Sequence, residues 1–295
     1  MKYKIPLAFA CVTLIWSTTP LAIQWSSEGV GYIFAVTSRM TIATVACFVL
    51  LRLLGMPFLW HKTARQTYLA AGFGIYFAMI LVYWGAQFIP SGWVAVIFGA
   101  SPMITGLIAH KYLDEALTPA KVTGSIIGFI GLFIIFWSKD AIDLKSYYGL
   151  FAILVSTLVH TFSIIRVKKI NAAISPLATT CGGLIYALPA YLLTWIIFDG
   201  HLPTVIPMKT ALAILYLGLI ASMIGFVLYY FILKHLDASR VALITLVSPV
   251  NALLLGNFLN GEPLTQQIWL GTIVILSGLI CYEFIGKKKQ AGLVK

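Results

Sequence analysis

The sequence predicts an all-α integral membrane protein, with ten transmembrane helices forming two inverted five-helix repeats around a central cavity. Three observations carry that prediction. Only 10% of the 295 residues are charged and 60% are hydrophobic, with a mean hydropathy of +0.96; a soluble protein carries roughly 25% charged residues. So few charges cannot cover a water-facing surface, whereas a lipid-facing one needs none. Ten stretches are long enough to cross a bilayer, which takes about 20 mostly apolar residues. Finally, the segment SPMITGLIAHKYLDEALT (101–118) recurs in altered form as SPVNALLLGNFLNGEPLT (248–265).

The predicted spans are 4–24, 32–54, 68–88, 91–111, 120–138, 147–166, 176–198, 209–231, 239–259 and 267–286. The first follows Lys2 and Lys4 and has the flank of a signal peptide, but nine further spans and the lack of an A-x-A site favour a helix that stays. All ten are continuously apolar. A membrane barrel would alternate polar and apolar residues along each strand, so these are helices. The second holds one charge away from its ends, Arg39, with Arg52 at its cytoplasmic end. The third and eighth hold aromatic clusters, the fourth and ninth Pro102 and Pro249, the fifth Gly124, Gly128 and Gly131, and the sixth His160. The expected units are 1–138 (first repeat), 147–286 (second repeat) and 287–295 (a basic cytoplasmic tail).

Orientation follows from Lys and Arg, which collect on cytoplasmic loops. With the N-terminus inside, 16 of the 20 basic residues fall on cytoplasmic turns and tails; Lys139, Lys145 and Lys209 fall outside, and Arg39 lies within a helix. Both termini are therefore expected in the cytoplasm of a multi-pass protein of the cell membrane, a bacterial inner membrane by expectation. The net charge of +11 then sits in juxtamembrane turns facing anionic lipid, so no nucleic-acid partner is implied. Cys11, Cys47, Cys181 and Cys281 lie within spans with no C-x-x-C spacing, which argues against a disulfide or zinc site. No metal and no cofactor is expected. The expected partners are a small-molecule substrate and the lipid bilayer, with the chain a monomer or weak homodimer.

The repeat has a constant shift of 147: 249 − 102 for the prolines and 262 − 115 for the glutamates. Tyr83 pairs with Tyr230, Val94-Ala95 with Val241-Ala242, Gly124 with Gly271 and Gly131-Leu132 with Gly278-Leu279 at the same shift. Trp16 aligns loosely opposite His160. Copies five helices apart enter the membrane in opposite senses, which places Glu115 at the cytoplasmic face and Glu262 at the external one. Inverted repeats are a recurring architecture of secondary transporters, where exchange of conformations between the halves opens a midplane site to either side.

Ten helices, the five-plus-five repeat, and Ser-Pro followed by a glutamate and a Gly-rich helix resemble the drug/metabolite transporter superfamily, in particular its EamA-type exporters of amino acids and other metabolites. Trp16-Ser17 resembles that family's helix 1 Trp-Gly, and Arg39 its helix 2 arginine. The resemblance covers essentially the whole chain and implies a fold and a transport role, not a substrate. One departure stands out: family glutamates usually follow a glycine, as Glu262 follows Gly261, but Glu115 follows Asp114.

Candidate residues each admit two readings. Pro102 and Pro249 are placed mid-helix, where each removes an N–H; the kinks either line the cavity, the preferred reading, or simply pack. Glu115 and Glu262 are either gate charges or, preferred, structural acids at the positive end of the next helix, which Thr118 and Thr265 cap. Arg39 lies about 10 Å deep by helical rise and either faces the bundle interior or snorkels outward. His160 is either a satisfied polar contact or a binding group. The resemblance implies that helices 1, 3 and 8 border the cavity, which brings in Trp16, Tyr76, Tyr83, Trp84, Tyr229 and Tyr230. Helical spacing puts Tyr76 and Tyr83 on one face with Gln87 a turn on, and Thr105 and Asn251 add polar groups. Such a cavity suits a neutral or zwitterionic metabolite such as an amino acid, exported or exchanged by alternating access. A nucleoside-like molecule or an organic cation, which aromatic faces also hold, is the alternative. A membrane enzyme would need a nucleophile–base pair, paired carboxylates or a metal cluster at depth, and none is visible.

Overall fold

The computed structural model describes residues 3–136, 144–241, 244 and 248–282. The Ala242 match, Glu283, the turn at 139–143 and the tail 287–295 lie outside the described residues. Every regular element among the described residues is helical: α1 Lys4–Ser27, α2 Tyr32–Leu53, α3 Lys62–Gly85, α4 Ser91–Phe98, α5 Ser101–Leu113, α6 Pro119–Phe136, α7 Leu144–Ile170, α8 Pro176–Phe198, α9 Met208–Tyr216, a π-helical stretch Leu217–Ile224, α10 Gly225–His235, α11 Ala238–Val241, α12 Ser248–Asn260 and α13 Gln266–Ile280. Seven helical stretches are long and apolar enough to cross a membrane, and 119–135 and 266–280 are shorter apolar helices. Large apolar side chains on the outside, among them Leu14, Phe133, Leu193, Ile197 and Phe258, are more than half exposed. That is the surface lipid covers and water does not.

Local chemistry sets the boundaries. Thr118 Oγ1 accepts from the Lys121 N–H at 3.3 Å and Thr265 Oγ1 from the Ile268 N–H at 3.3 Å, so both threonines cap the following helix as expected. His61 Nδ1 accepts from the Ala64 N–H, and α3 accordingly begins six residues before the expected 68, running out through Lys62 and Arg65. The expected fourth span is not one helix. It breaks at Gly99-Ala100, and Pro102 is not mid-helix but near the start of α5. Pro249 is the second residue of α12, Ser248–Asn260, and residues 245–247 before it lie outside the described residues. The reason is that proline lacks an N–H and suits a first turn, where that N–H has no partner in any case.

The two halves pack by exchange. Helix α3 lies on α7 and α8, while the α9–α10 stretch lies on α1 and α2; α4 packs on α12, and α11 on α5. The seam of α6 and α13 shows the exchange in single residues. A Cβ on Gly124 would lie 2.4 Å from the Gly278 carbonyl oxygen, and one on Gly131 would lie 2.7 Å from that of Gly271. Gly271 is the counterpart of Gly124 and Gly278 that of Gly131, so each glycine meets the counterpart of the other.

Candidate functional site

The broken helix α4–α5 brings its break to the centre. A cavity of about 90 Å3 there is lined by Trp16, Thr19, Pro20 and Ile23 of α1, Arg39 of α2, Phe98 and Ser101 on either side of the break, His160 of α7, Phe226 and Tyr229 of α10, Val241 of α11 and Ser248 of α12. Ser101 and Ser248 are counterparts in the repeat. Pro102 has no N–H for the Phe98 carbonyl four residues back, and Pro20 has none for the Trp16 carbonyl. Freed backbone acceptors at membrane depth are tolerated where they line a cavity.

The cavity wall is an aromatic box with one cation. Ring centroids of Trp16 and Tyr229 lie 4.9 Å apart, those of Trp16 and His160 6.3 Å, and those of His160 and Tyr229 5.7 Å. Phe98 meets His160 edge-on at 6.4 Å. The loosely aligned pair Trp16 and His160 thus meets at the cavity. His160 Nδ1 is buried without a hydrogen-bond partner.

Arg39 is 2% exposed, so it does not snorkel to the surface. Its Nε donates to Ser222 Oγ at 2.8 Å and its Nη1 to Tyr83 Oη at 3.5 Å, with the guanidinium carbon 5.8 Å from the Tyr83 ring centroid. Ser222 sits on the π-helical stretch, a local widening that proteins often use at functional sites. Tyr83 is fully buried and also receives the Ser26 hydroxyl at 3.4 Å. It therefore holds Arg39 and does not line the cavity.

The other expected site residues are dispersed. Tyr76 Oη pairs with Thr194 Oγ1 at 2.5 Å and its ring packs on Tyr191, which turns it into α8. Trp84 packs edge-on against Phe88 at 5.2 Å. Gln87 is exposed and bonds back to the Trp84 carbonyl at 3.4 Å; α3 stops at Gly85, so the helical spacing that aligned Gln87 with Tyr83 no longer applies. Thr105 is buried against Thr161, Oγ1 to Oγ1 at 3.4 Å. Asn251 reaches Ser17 Oγ at 3.5 Å. Tyr230 faces a second cavity of about 580 Å3, lined by Asp114, Glu115, Lys168, Lys169, Lys234 and Asp237 among others. Phe98, Phe226, Pro20, Ser101 and Ser248 were not singled out by the sequence, although the serines stood in the repeated Ser-Pro.

The two glutamates do the same thing at opposite ends of the repeat. Glu115 Oε1 accepts from the Ala238 N–H at 2.9 Å, the first N–H of α11. Glu262 Oε2 accepts from the Gly92 N–H at 3.2 Å, in the first turn of α4. Each glutamate ends one half's second helix segment and caps the other half's first, satisfying an N–H that a helix start leaves open. Each acid thus sits at a helix start, but the helix is that of the opposite half and not the next one in sequence.

A family model described as "EamA-like transporter family" matches twice, over residues 4–137 and 147–283. An uncharacterized transporter of Archaeoglobus fulgidus is 25% identical over 279 residues, covering 92% of this chain and 96% of that one. The uncharacterized transporter YoaV of Bacillus subtilis is 25% identical over 294 residues, covering 97% and 99%. A probable terminal-alkyne amino-acid exporter of Streptantibioticus cattleyicolor is 25% identical over 291 residues, covering 98% and 97%. A solved crystal structure superposes with a TM-score of 0.73 at 17% identity, covering 96% of this chain and 98% of that one, which establishes a shared fold. With the family model spanning nearly the whole chain, this protein belongs to the EamA-like transporter family: it is a multi-pass membrane transporter and not an enzyme.

Proposed function

We propose that this chain is a secondary transporter that exports or exchanges a small zwitterionic metabolite, such as an amino acid, by alternating access and without ATP. The observation that carries the reading is a broken helix, α4–α5, whose break opens on a cavity that α11 and α12 of the other half also reach and that holds a single buried cation and an aromatic box. Discontinuous helices recur at transporter substrate sites. The amino-acid exporter among the relatives points the same way. The charge asymmetry of the turns supports ten crossings with both termini cytoplasmic, and the exchanged contacts at the α6–α13 seam support two halves of opposite insertion.

In this reading the glutamate caps are gates. At the Glu262 end the closure is dense: Gln24 Nε2 donates to the Ile89 carbonyl at 2.9 Å, Asn260 Nδ2 to Gln24 Oε1 at 3.3 Å and to Glu262 Oε1 at 3.1 Å, and Lys209 pairs with Glu28 at 2.8 Å. The Glu115 end opens into the 580 Å3 vestibule, with Tyr229 and Tyr230 between it and the central cavity. The state is closed externally, with a contracted centre: ligand pockets commonly hold about 300–1,000 Å3, against about 90 Å3 here.

Counterflow of labelled amino acids in proteoliposomes tests the proposal. Exchange that requires amino acid on both sides, proceeds without a pH gradient and needs no ATP is the expected result. Absence of flux for every amino acid, nucleoside and quaternary amine tried would remove it. Uphill accumulation under a pH gradient, lost in His160→Ala, would replace simple exchange with proton coupling at His160, the titratable side chain on the cavity wall besides Arg39 and Tyr229.

A further inference from the structure

We propose that Arg39 is the carboxylate anchor of the central cavity, so that the substrate is a carboxylic acid whose remaining part lies against Trp16, His160 and Tyr229. The inference rests on the transport reading above and narrows it to a chemical class.

The argument begins with an unbalanced charge. A guanidinium is always protonated and presents five donors. Nε is taken by Ser222 and one Nη1 proton by Tyr83, both neutral oxygens. Nη2 has no hydrogen-bond partner among the described residues. The ion pairs present there, Lys209–Glu28 and Arg240–Asp237, are exposed and elsewhere, and no Asp or Glu lines the cavity among the described residues. A charge at membrane depth without an opposite partner is costly and marks a functional position. What it lacks is an anion.

The geometry selects which anion. The guanidinium fork matches a carboxylate in two parallel hydrogen bonds. Arg39 is the one Lys or Arg among the cavity-lining residues described, so it balances a single negative charge; a phosphate of nearly two charges would be left half compensated. An organic cation would face an unneutralised like charge. Across the cavity, His160 Nδ1 is buried without a partner and stands between two aromatic rings. It can hydrogen-bond the far part of the ligand, as donor or acceptor according to its tautomer, while the rings cover the ligand's apolar portion. Ser222 and Tyr83 are the positioning residues: they take Nε and one Nη1 proton and leave the Nη2 protons and the second Nη1 proton to the ligand.

The test uses the purified full-length protein in proteoliposomes and in detergent. L-Phenylalanine, L-leucine and L-threonine are each set beside the methyl ester, the decarboxylated amine and the matching acid without the amine. Thermal stabilisation and counterflow are read for the wild type, Arg39→Lys and Arg39→Gln. The expected result is that acids bind at least about tenfold more tightly than their esters and amines, one decade of affinity being 1.4 kcal/mol. That preference shrinks in Arg39→Lys, which keeps the charge and loses the fork, and vanishes in Arg39→Gln. Esters or amines that bind as well as acids overturn the inference while leaving the transport reading intact, as does an acid preference that survives in Arg39→Gln. Flux of none of these compounds overturns both. The wild-type ligand series decides even if a variant fails to fold, and stabilisation by chloride alone with no acid preference also counts against the anchor.

Discussion

The corner at Glu115 and the corner at Glu262 are one device in two settings. In each, the helix ends on a left-handed residue, Asp114 at φ 56° and Gly261 at φ 64°. In each, the glutamate N–H reaches six residues back, to the Ala109 carbonyl at 3.4 Å and to the Gly256 carbonyl at 3.1 Å. The glutamate carbonyl meets His110 Nδ1 at 2.9 Å in the first and accepts from Asn257 Nδ2 at 2.8 Å in the second, and His110 and Asn257 are themselves 147 apart. The carboxylates then cap α11 and α4. What differs lies around the device: lysines and acids enclosing a vestibule at Glu115, an amide lattice of Gln24 and Asn260 at Glu262. The repeat therefore encodes the brace, and the side chains around it differ between the two copies.

The largest expected effect comes from breaking the seam that joins the halves. Gly124→Val drives side-chain atoms toward the backbone of Gly278 and Tyr282, the nearest Cβ contact being 2.4 Å, where nothing flexible can yield. Overpacking of this kind costs typically 1–3 kcal/mol or more. Gly271→Val, at the counterpart, meets the Gly131 carbonyl at 2.8 Å behind the Ile135 side chain. Both variants are expected to lose most of their monodisperse peak in size-exclusion chromatography, Gly124→Val more completely. Normal behaviour of either would mean that the seam is not a close contact.

Removing the braces sharpens the comparison itself. A hydrogen bond to a charged group contributes roughly 1.5–3 kcal/mol, which is about tenfold or more in the balance between closed and open ends. In a background with Cys11, Cys47, Cys181 and Cys281 replaced, a cysteine at Ser101 reports access to the cavity. Glu262→Ala should raise its labelling by a membrane-impermeant maleimide from the external side by about tenfold. Glu115→Ala should change labelling from the opposite side much less, since that end already meets the vestibule. Equal responses would erase the distinction between the corners.

Much of this arrangement was legible in the sequence because it is periodic or repeated. The membrane class followed from charge scarcity, the glutamate corners from the 147-residue shift, and the threonine caps from their place before α6 and α13. Four features were not legible. The break after Phe98 looks like continuous apolar sequence, because Gly99-Ala100 carries no stop signal strong enough to read alone. Gln87 left the Tyr83 face because helix ends are set by a few competing hydrogen bonds. The partners of Arg39 lie 44 and 183 residues away, and Ser222 reaches it from a π-helical turn that no 3.6-residue pattern anticipates. The glutamates were assigned to the next helix in sequence because spacing reports neighbours along the chain and not across the two halves.

The smallest effect expected is also the cleanest comparison of the corners. Asp114 stands where the second copy has Gly261, and the left-handed conformation of both explains why glycine is favoured there. An L-residue in that region carries about 1–2 kcal/mol of strain, less for Asp, whose short polar side chain bonds locally. Asp114→Gly should therefore raise the melting temperature by roughly 2 °C, using about 2–4 °C per kcal/mol for a chain of 150–250 residues as the scale. Gly261→Asp should lower it by a similar amount. No atom lies within 4 Å of a Cβ placed on Gly261, so that loss reports backbone strain and not a clash. The competing term is charge: Asp114 lines the same vestibule as Lys168, Lys169 and Lys234, and attraction between exposed charges contributes at most about 0–1 kcal/mol. If Asp114→Gly lowers the melting temperature, the charge outweighs the strain. The acid is then retained for the vestibule, and the two corners differ by function and not merely by the residue that ends a helix.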